Sequence, residues 1–224
     1  MAVRGILFDL DGTLVDRAAT LRVFAHVMAD AFAEDLNEMA FDNFVHLVQK
    51  ADGKGYRKKA DVFDQLQTDL PWHRVPALEE LSDFWFSTYP KCTQPMAGVY
   101  DLLETLQKRH IKTGIVTNGK LRSQMDKIER LDLGAYMETV VISESVGIEK
   151  PDARIFEMAL KDLDLPASDV WFVGDHPDND VAGAKAAGMT GIWLSGHLPW
   201  PEGRALTVQQ IDQLGDLLIF LQEE

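Results

Sequence analysis

Cysteine is nearly missing from this chain: Cys92 is the only one among 224 residues. No intramolecular disulfide can form, and a zinc site built on thiolates is not expected. Long apolar runs are lacking as well. None approaches the roughly 18 continuous apolar residues that span a bilayer, and the N-terminal run is broken by Asp9, too short for a secretory signal. Basic residues are in deficit, with 22 Lys and Arg against 36 Asp and Glu and a formal net charge of −14. A nucleic-acid polymer would be repelled by that balance, whereas a small anion remains admissible wherever a metal or a local cation offsets the charge. These absences together lead us to expect a soluble cytosolic protein with neither membrane nor nucleic acid as a partner.

What is present is ordinary globular composition, 46% hydrophobic and 26% charged, in a chain long enough for one domain with an insertion or for two small domains. Five apolar runs read as buried strands: GILFDLD from Gly5, KTGIVTN from Lys112, ETVVIS from Glu138, DVWFVGD from Asp169 and MTGIWLS from Met189. Continuous runs of this kind suit a parallel sheet covered on both faces. Helix-like segments at 121–131, 152–163 and 180–187 separate the last four, so the fold class is a doubly wound α/β sheet. Residues 16–91 break this rhythm. Leu21, Phe24, Ala25, Met28 and Phe32 share one helical face, Phe41, Phe44, Val45 and Val48 another, and two further helices run through Val62, Phe63, Leu66 and through Leu78, Leu81, Trp85. An all-helical domain at 16–91, inserted into a catalytic core of residues 1–15 and 92–224, is the expected organisation.

In an open α/β sheet, ligands collect at the carboxyl ends of the strands. The first run, ILFDLDGTLVD, ends there in Asp9 and Asp11; the second ends in Thr117 and Asn118, the fourth in Gly174 and Asp175, and Lys150 follows the third by a short loop. Residues two apart on an extended chain point the same way, so Asp9 and Asp11 would repel unless one is protonated or a cation intervenes. Oxygen-only ligands select a hard cation, and Mg²⁺ prefers one or two carboxylates together with phosphate and water. Asp9 and Asp175 form the natural carboxylate pair, and Asp180 would steady the site from behind.

DLDGTLVD, the VTN ending at Asn118, the Lys150-Pro151 pair and GDHPDND together resemble, in order, the four motifs of the haloacid dehalogenase-like (HAD) superfamily, and they span Asp9 to Asp180. The helical insertion resembles the cap of the subfamily whose cap lies between motifs one and two. The resemblance implies a Rossmann-like core and a Mg²⁺-dependent phosphatase acting on a small phosphorylated metabolite. It implies Asp9 as the nucleophile that becomes an aspartyl-phosphate, and Asp11 as the acid that protonates the leaving oxygen and then activates water. Mg²⁺ would be held by Asp9, Asp175 and the backbone carbonyl of Asp11. Thr117, the Asn118 backbone and Lys150 would bind the phosphoryl oxygens, with Lys150 also offsetting the charge of Asp9. Relatives that dehalogenate lack the second aspartate, since a halide needs no proton, so Asp11 favours an oxygen leaving group. A sugar-phosphate mutase would use the same motifs, and a phospho-accepting signalling module is the rival from another class. The insertion and the DxDGT order argue against the latter.

The basic cluster Lys50, Lys54, Arg57, Lys58 and Lys59 stands out in an acidic chain. Lys54 and Arg57, beside a Gly53–Gly55 turn, are the residues expected to reach toward substrate if the cluster is more than a solvated helix face. Cys92 is expected to be inert, Asp178 a solvated loop carboxylate, His176 at most a residue of the site mouth, and Trp200, between Pro199 and Pro201, an exposed ring. Neither the identity of the phosphomonoester nor the oligomeric state is readable.

Overall fold

The computed structural model describes residues 3–206 and 208–222. The five apolar runs form strands β1 (Gly5–Phe8), β2 (Lys112–Thr117), β3 (Thr139–Ile142), β4 (Val170–Gly174) and β5 (Thr190–Leu194). A sixth, β6 (Gln209–Ile211), extends the sheet. It carries no run of apolar residues and so left no trace in the hydrophobic pattern; only Ile211 points into the core. The order is β3-β2-β1-β4-β5-β6 and every adjacent pair is parallel. The chain winds outward from β1 through β2 to β3, then returns to place β4 on the other side of β1. That reversal opens the crevice in which doubly wound sheets hold ligands, and it lies at the carboxyl ends of β1 and β4.

The chain separates into two compact units, one running up to Asp16 and resuming at Pro95, the other Arg17–Gln94. The second unit is helical: α1 (Arg17–Ala31), α2 (Phe41–Asp52), α3 (Lys59–Asp69) and α4 (Leu78–Thr88). Phe24 lies at its centre, its ring 4.7 Å from Trp85 and 5.7 Å from Tyr89. Burying side chains of this size stabilises a fold by about 1.5–3 kcal/mol each. Phe41 and Leu78 depart from the expected core, being 37% and 46% exposed. Each is the first residue of its helix, ahead of the turn that faces the core. Cys92 is buried in this helical core, beside Tyr89 and beyond the boundary read from the sequence. The buried Asp52 is held by Arg17 through two hydrogen bonds of 2.8 and 2.7 Å and by Lys59 at 3.4 Å.

In the strand-bearing unit, alternation sends Ile6 and Phe8 to one face of β1 and Leu7 to the other. The first face is covered by α5 (Val99–Lys108) and α6 (Leu121–Arg130) through Leu102, Leu103, Leu106 and Ile128. A one-turn helix, α7 (Ser143–Val146), follows β3. The second face is covered by α8 (Ala153–Leu163) through Ile155, Phe156 and Ala159. Asp152 starts α8 by accepting the Arg154 N–H at 3.0 Å, as an N-cap should. The helix expected at 180–187 begins earlier, as a π-helical turn Pro177–Ala182 that runs into α9 (Gly183–Ala186). Its start is fixed by His176, whose ring Nδ1 accepts the N–H groups of Asp178 and Asn179 at 3.1 and 3.2 Å. The chain closes with α10 (Leu217–Phe220).

Candidate active site

β1 stops at Phe8, and the Asp9 N–H bonds to the Val173 carbonyl of β4 at 2.9 Å. The chain then turns tightly: the Leu10 carbonyl accepts the N–H groups of Leu14 and Val15 at 3.0 and 2.9 Å, with all three side chains buried. Gly12 sits on this turn at φ +89°, where a Cβ would come within 3.0 Å of the Asp175 carboxyl group. A residue with a side chain is disfavoured twice over, by backbone conformation and by space. Asp9 and Asp11 therefore lie past the extended part of β1, and the mutual repulsion expected of them is met by a cation beside each carboxylate. Asp9 Oδ1 accepts the Lys150 Nζ at 2.6 Å, while Asp11 Oδ2 accepts the Lys127 Nζ at 2.5 Å and the Gln124 amide at 3.0 Å.

Lys150 is buried between two carboxylates, its ammonium also donating to Asp180 Oδ1 at 2.7 Å. Its backbone is fixed by Asn118, whose amide donates to the Lys150 carbonyl at 3.0 Å and whose oxygen accepts the Lys150 N–H at 2.8 Å. The Asn118 side chain thus ties the loop after β2 to the loop after β3. Thr117 ends β2, buried, with its hydroxyl accepting the Gln124 amide at 2.7 Å. Asp180 uses both oxygens, Oδ1 for Lys150 and Oδ2 for the His176 N–H at 2.9 Å. Gly174 makes room for it: a Cβ there would fall on the Asp180 carboxyl group.

Asp175 differs from all of these. It is fully buried, and neither carboxylate oxygen meets a hydrogen-bond donor; the ring of His197 is the nearest cation-forming group, 4.0 Å away. Burial first, then the charges of Asp9 and Asp180, push its carboxyl group up to about 9. Burial likewise raises Asp9, against the opposing pull of Lys150. Lys150 is held above the ordinary lysine range because Asp180 and Asp9 together outweigh the effect of its burial. Asp9, Asp175 and Asp180 bring oxygens within 4.8 Å of one another. With all three carboxylates ionised against one ammonium, the site would carry two negative charges away from water, the deficit that a divalent cation removes. Because Asp180 is already engaged through both oxygens, Asp9 and Asp175 are the pair open to such an ion, with Asp180 acting through Lys150. The residues fit a hard divalent metal.

The family model for haloacid dehalogenase-like hydrolases matches residues 6–194. The chain belongs to that family. Among relatives of this hydrolase is a glyceraldehyde 3-phosphate phosphatase of Pyrococcus furiosus, 28% identical over 205 residues that cover 86% of this chain and 80% of the relative. A ribulose-1,5-bisphosphate 5-phosphatase of Halopiger xanaduensis is 30% identical over 238 residues, covering 95% and 96%. Among solved structures, the HAD-hydrolase YfnB of Bacillus subtilis bound to magnesium superposes with a TM-score of 0.77 at 20% identity, covering 99% of both chains, a likeness of fold.

Lys127 and Gln124, the two residues of this hydrolase that hold Asp11, were absent from the sequence reading. Three apart on α6, with Lys127 next to Asp126 and two before Glu129, they look like a solvated charged face. Both are nearly buried. The one available signal was position, since Gln124 follows Thr117 by seven residues and lies in the first turn of the helix after β2. Asp178 is not merely solvated: it accepts the Arg204 guanidinium at 2.6 Å. Nor is Trp200 simply exposed; its ring packs 5.2 Å from Trp193 and its indole N–H donates to the Arg204 carbonyl at 3.0 Å. In the helical unit, Arg57 donates to the Ala51 carbonyl at 3.2 Å and to Gln65 at 3.4 Å, closing the C-terminal end of α2. Lys54 is exposed, with a left-handed backbone at φ +59°. No described helix is long and apolar enough to cross a membrane.

Proposed function

We propose that this chain is a Mg²⁺-dependent phosphatase that hydrolyses small phosphomonoesters through an aspartyl-phosphate on Asp9. The observation that carries the reading is the buried Asp9–Asp175 pair, whose Asp175 oxygens have no donor of their own, beside a second aspartate, Asp11, two residues beyond the nucleophile. The phosphatase relatives support it.

An Asp9 oxygen attacks phosphorus and the P–O bond to the leaving group breaks. The departing oxygen takes a proton from Asp11. Water then attacks the aspartyl-phosphate while Asp11 takes its proton, the P–O bond to Asp9 breaks, and phosphate leaves with the nucleophile restored. General acid–base assistance of this kind contributes about 10²–10⁴-fold in rate. The Thr117 hydroxyl, the Asn118 backbone and the Lys150 ammonium bind the phosphoryl oxygens, and Lys150 also steadies the ionised Asp9. Mg²⁺, held by Asp9, Asp175 and the Asp11 carbonyl, would neutralise charge on the transferring group. Asp11 supplies a proton that a halide would not need, which favours ester hydrolysis over dehalogenation.

Phosphate release from a panel of sugar, nucleoside and short-acid phosphates, with and without Mg²⁺, tests the reading, with Asp9→Asn as the blank. Magnesium-dependent release that vanishes in the variant is expected. A folded, Mg²⁺-loaded protein that releases phosphate from none of them would overturn it and favour a mutase or signalling role. Substrate choice is assigned to the basic turn at Lys54, Arg57 being engaged within its own unit; Lys54→Ala on the same panel should then reorder the preferred substrates, and an unchanged order would remove that assignment.

A further inference from the structure

Asp11 must present its carboxyl group to the leaving oxygen in one step and to water in the next, so its orientation matters as much as its presence. Two donors on one helix converge on the same oxygen, Oδ2: the Lys127 ammonium at 2.5 Å and the Gln124 amide at 3.0 Å. They are also joined to each other, Lys127 Nζ donating to Gln124 Oε1 at 2.7 Å. The second amide hydrogen of Gln124 reaches the Thr117 hydroxyl at 2.7 Å, so one glutamine touches both Asp11 and a residue assigned to the phosphoryl oxygens. The Lys127 side chain is only 5% exposed. A buried ammonium is costly unless it is paired and hydrogen-bonded, and here it is given to Asp11 although α6 could have ended in a solvated lysine. Anchoring one oxygen of a planar carboxyl group also fixes where the other lies.

We propose that Lys127, with Gln124, is the positioning residue for Asp11, holding the carboxyl group in register with the phosphoryl site at Thr117. This rests on the reading of Asp11 as acid and base given above. Neither Lys127 nor Gln124 need touch the substrate; they act through Asp11. Misplacing a catalytic group by about 1 Å can cost about 10²-fold, and the loss should follow how much the leaving group needs a proton.

The test measures kcat/KM for an alkyl phosphate and for 4-nitrophenyl phosphate, whose phenolate leaves with little help, in the Mg²⁺-loaded full chain. Lys127→Met, Lys127→Arg and Asp11→Asn are compared with the wild type, with thermal unfolding confirming that each is folded. The expected result is an approximately hundredfold loss for Lys127→Met on the alkyl ester, a loss of less than about tenfold on the aryl ester, KM little changed, and partial rescue by Lys127→Arg. Equal losses on both esters, or none, would overturn the proposal provided that Asp11→Asn itself shows the selective loss. If Lys127→Met does not fold, Lys127→Arg and Gln124→Leu carry the same comparison. If Asp11→Asn shows no leaving-group selectivity, the role of Asp11 fails and this inference fails with it.

Discussion

In the helical unit the buried Asp52 meets Arg17 through both oxygens and Lys59 through one, whereas in the strand-bearing unit the buried Asp175 meets no donor at all. Both carboxylates are completely shielded from solvent, so the contrast is not one of burial. Asp52 is matched where it lies, and its ionised form is favoured because Arg17 and Lys59 outweigh the cost of desolvation. Asp175 is left over, and its neutral form is favoured because nothing in the protein outweighs that cost. A buried carboxylate matched within the chain belongs to the architecture; one left unmatched is where a cation from outside the chain would fit.

The sharpest way to break this comparison is to neutralise each carboxylate in turn. Asp175→Asn should lower phosphate release by about 10⁴-fold, since metal neutralisation of the transferring group is worth several kcal/mol. In chelator the same variant should be more stable than the wild type at neutral pH by about 1–2 kcal/mol, because the fold no longer has to keep a buried carboxyl group protonated well above its unfolded pKa. A less stable variant in urea unfolding would mean that Asp175 has a partner after all. Asp52→Asn should do the reverse: it removes the buried carboxylate that pairs with Arg17 and Lys59 and destabilises the fold by about 3–5 kcal/mol. Any loss of Mg²⁺ affinity in that variant, read by titration calorimetry, should be negligible.

A smaller effect separates the two by pH. The folded protein depresses the Asp52 carboxyl group, so its contribution is present above the unfolded value of about 3.9 and is lost as pH falls below it. The stability gap between wild type and Asp52→Asn should therefore shrink in acid. Asp175 is raised to about 9, so in chelator its contribution is present below about pH 4 and is lost as pH rises toward 9. Asp175→Asn should gain on the wild type over that interval. Denaturation midpoints measured across pH 3–9 check both slopes, and parallel slopes would refute the distinction.

Much of this was legible in the chain because the relevant signals were dense. Four apolar runs ending in Asp9, Thr117, Lys150 by its loop, and Asp175 placed those residues at or just after strand ends, and the 3.6-residue periodicity of Phe24, Met28, Val45 and Val48 set out the helical unit. Where signals were thin, the reading stopped. β6 offers Gln209, Gln210 and one isoleucine, and its pairing is decided by β5 rather than by its own composition. The support of Asp11 depends on α6 bringing Lys127 to a residue 116 positions earlier, a contact that tertiary packing alone creates. The early helix start at Pro177 follows from a histidine ring serving as a cap, a role in which Ser, Thr, Asp and Asn are the usual residues.

Gly174 has no atom beyond its backbone to offer the chemistry, yet a single methyl group there would fall on Asp180. Asp180 holds Lys150, and Lys150 holds Asp9, so the displacement would pass through two ion pairs to the carboxylate proposed as the nucleophile. Under random mutation this position should therefore tolerate less drift than many residues far nearer the substrate. The smallest side chain in the alphabet is, at this point in the chain, among the hardest to replace.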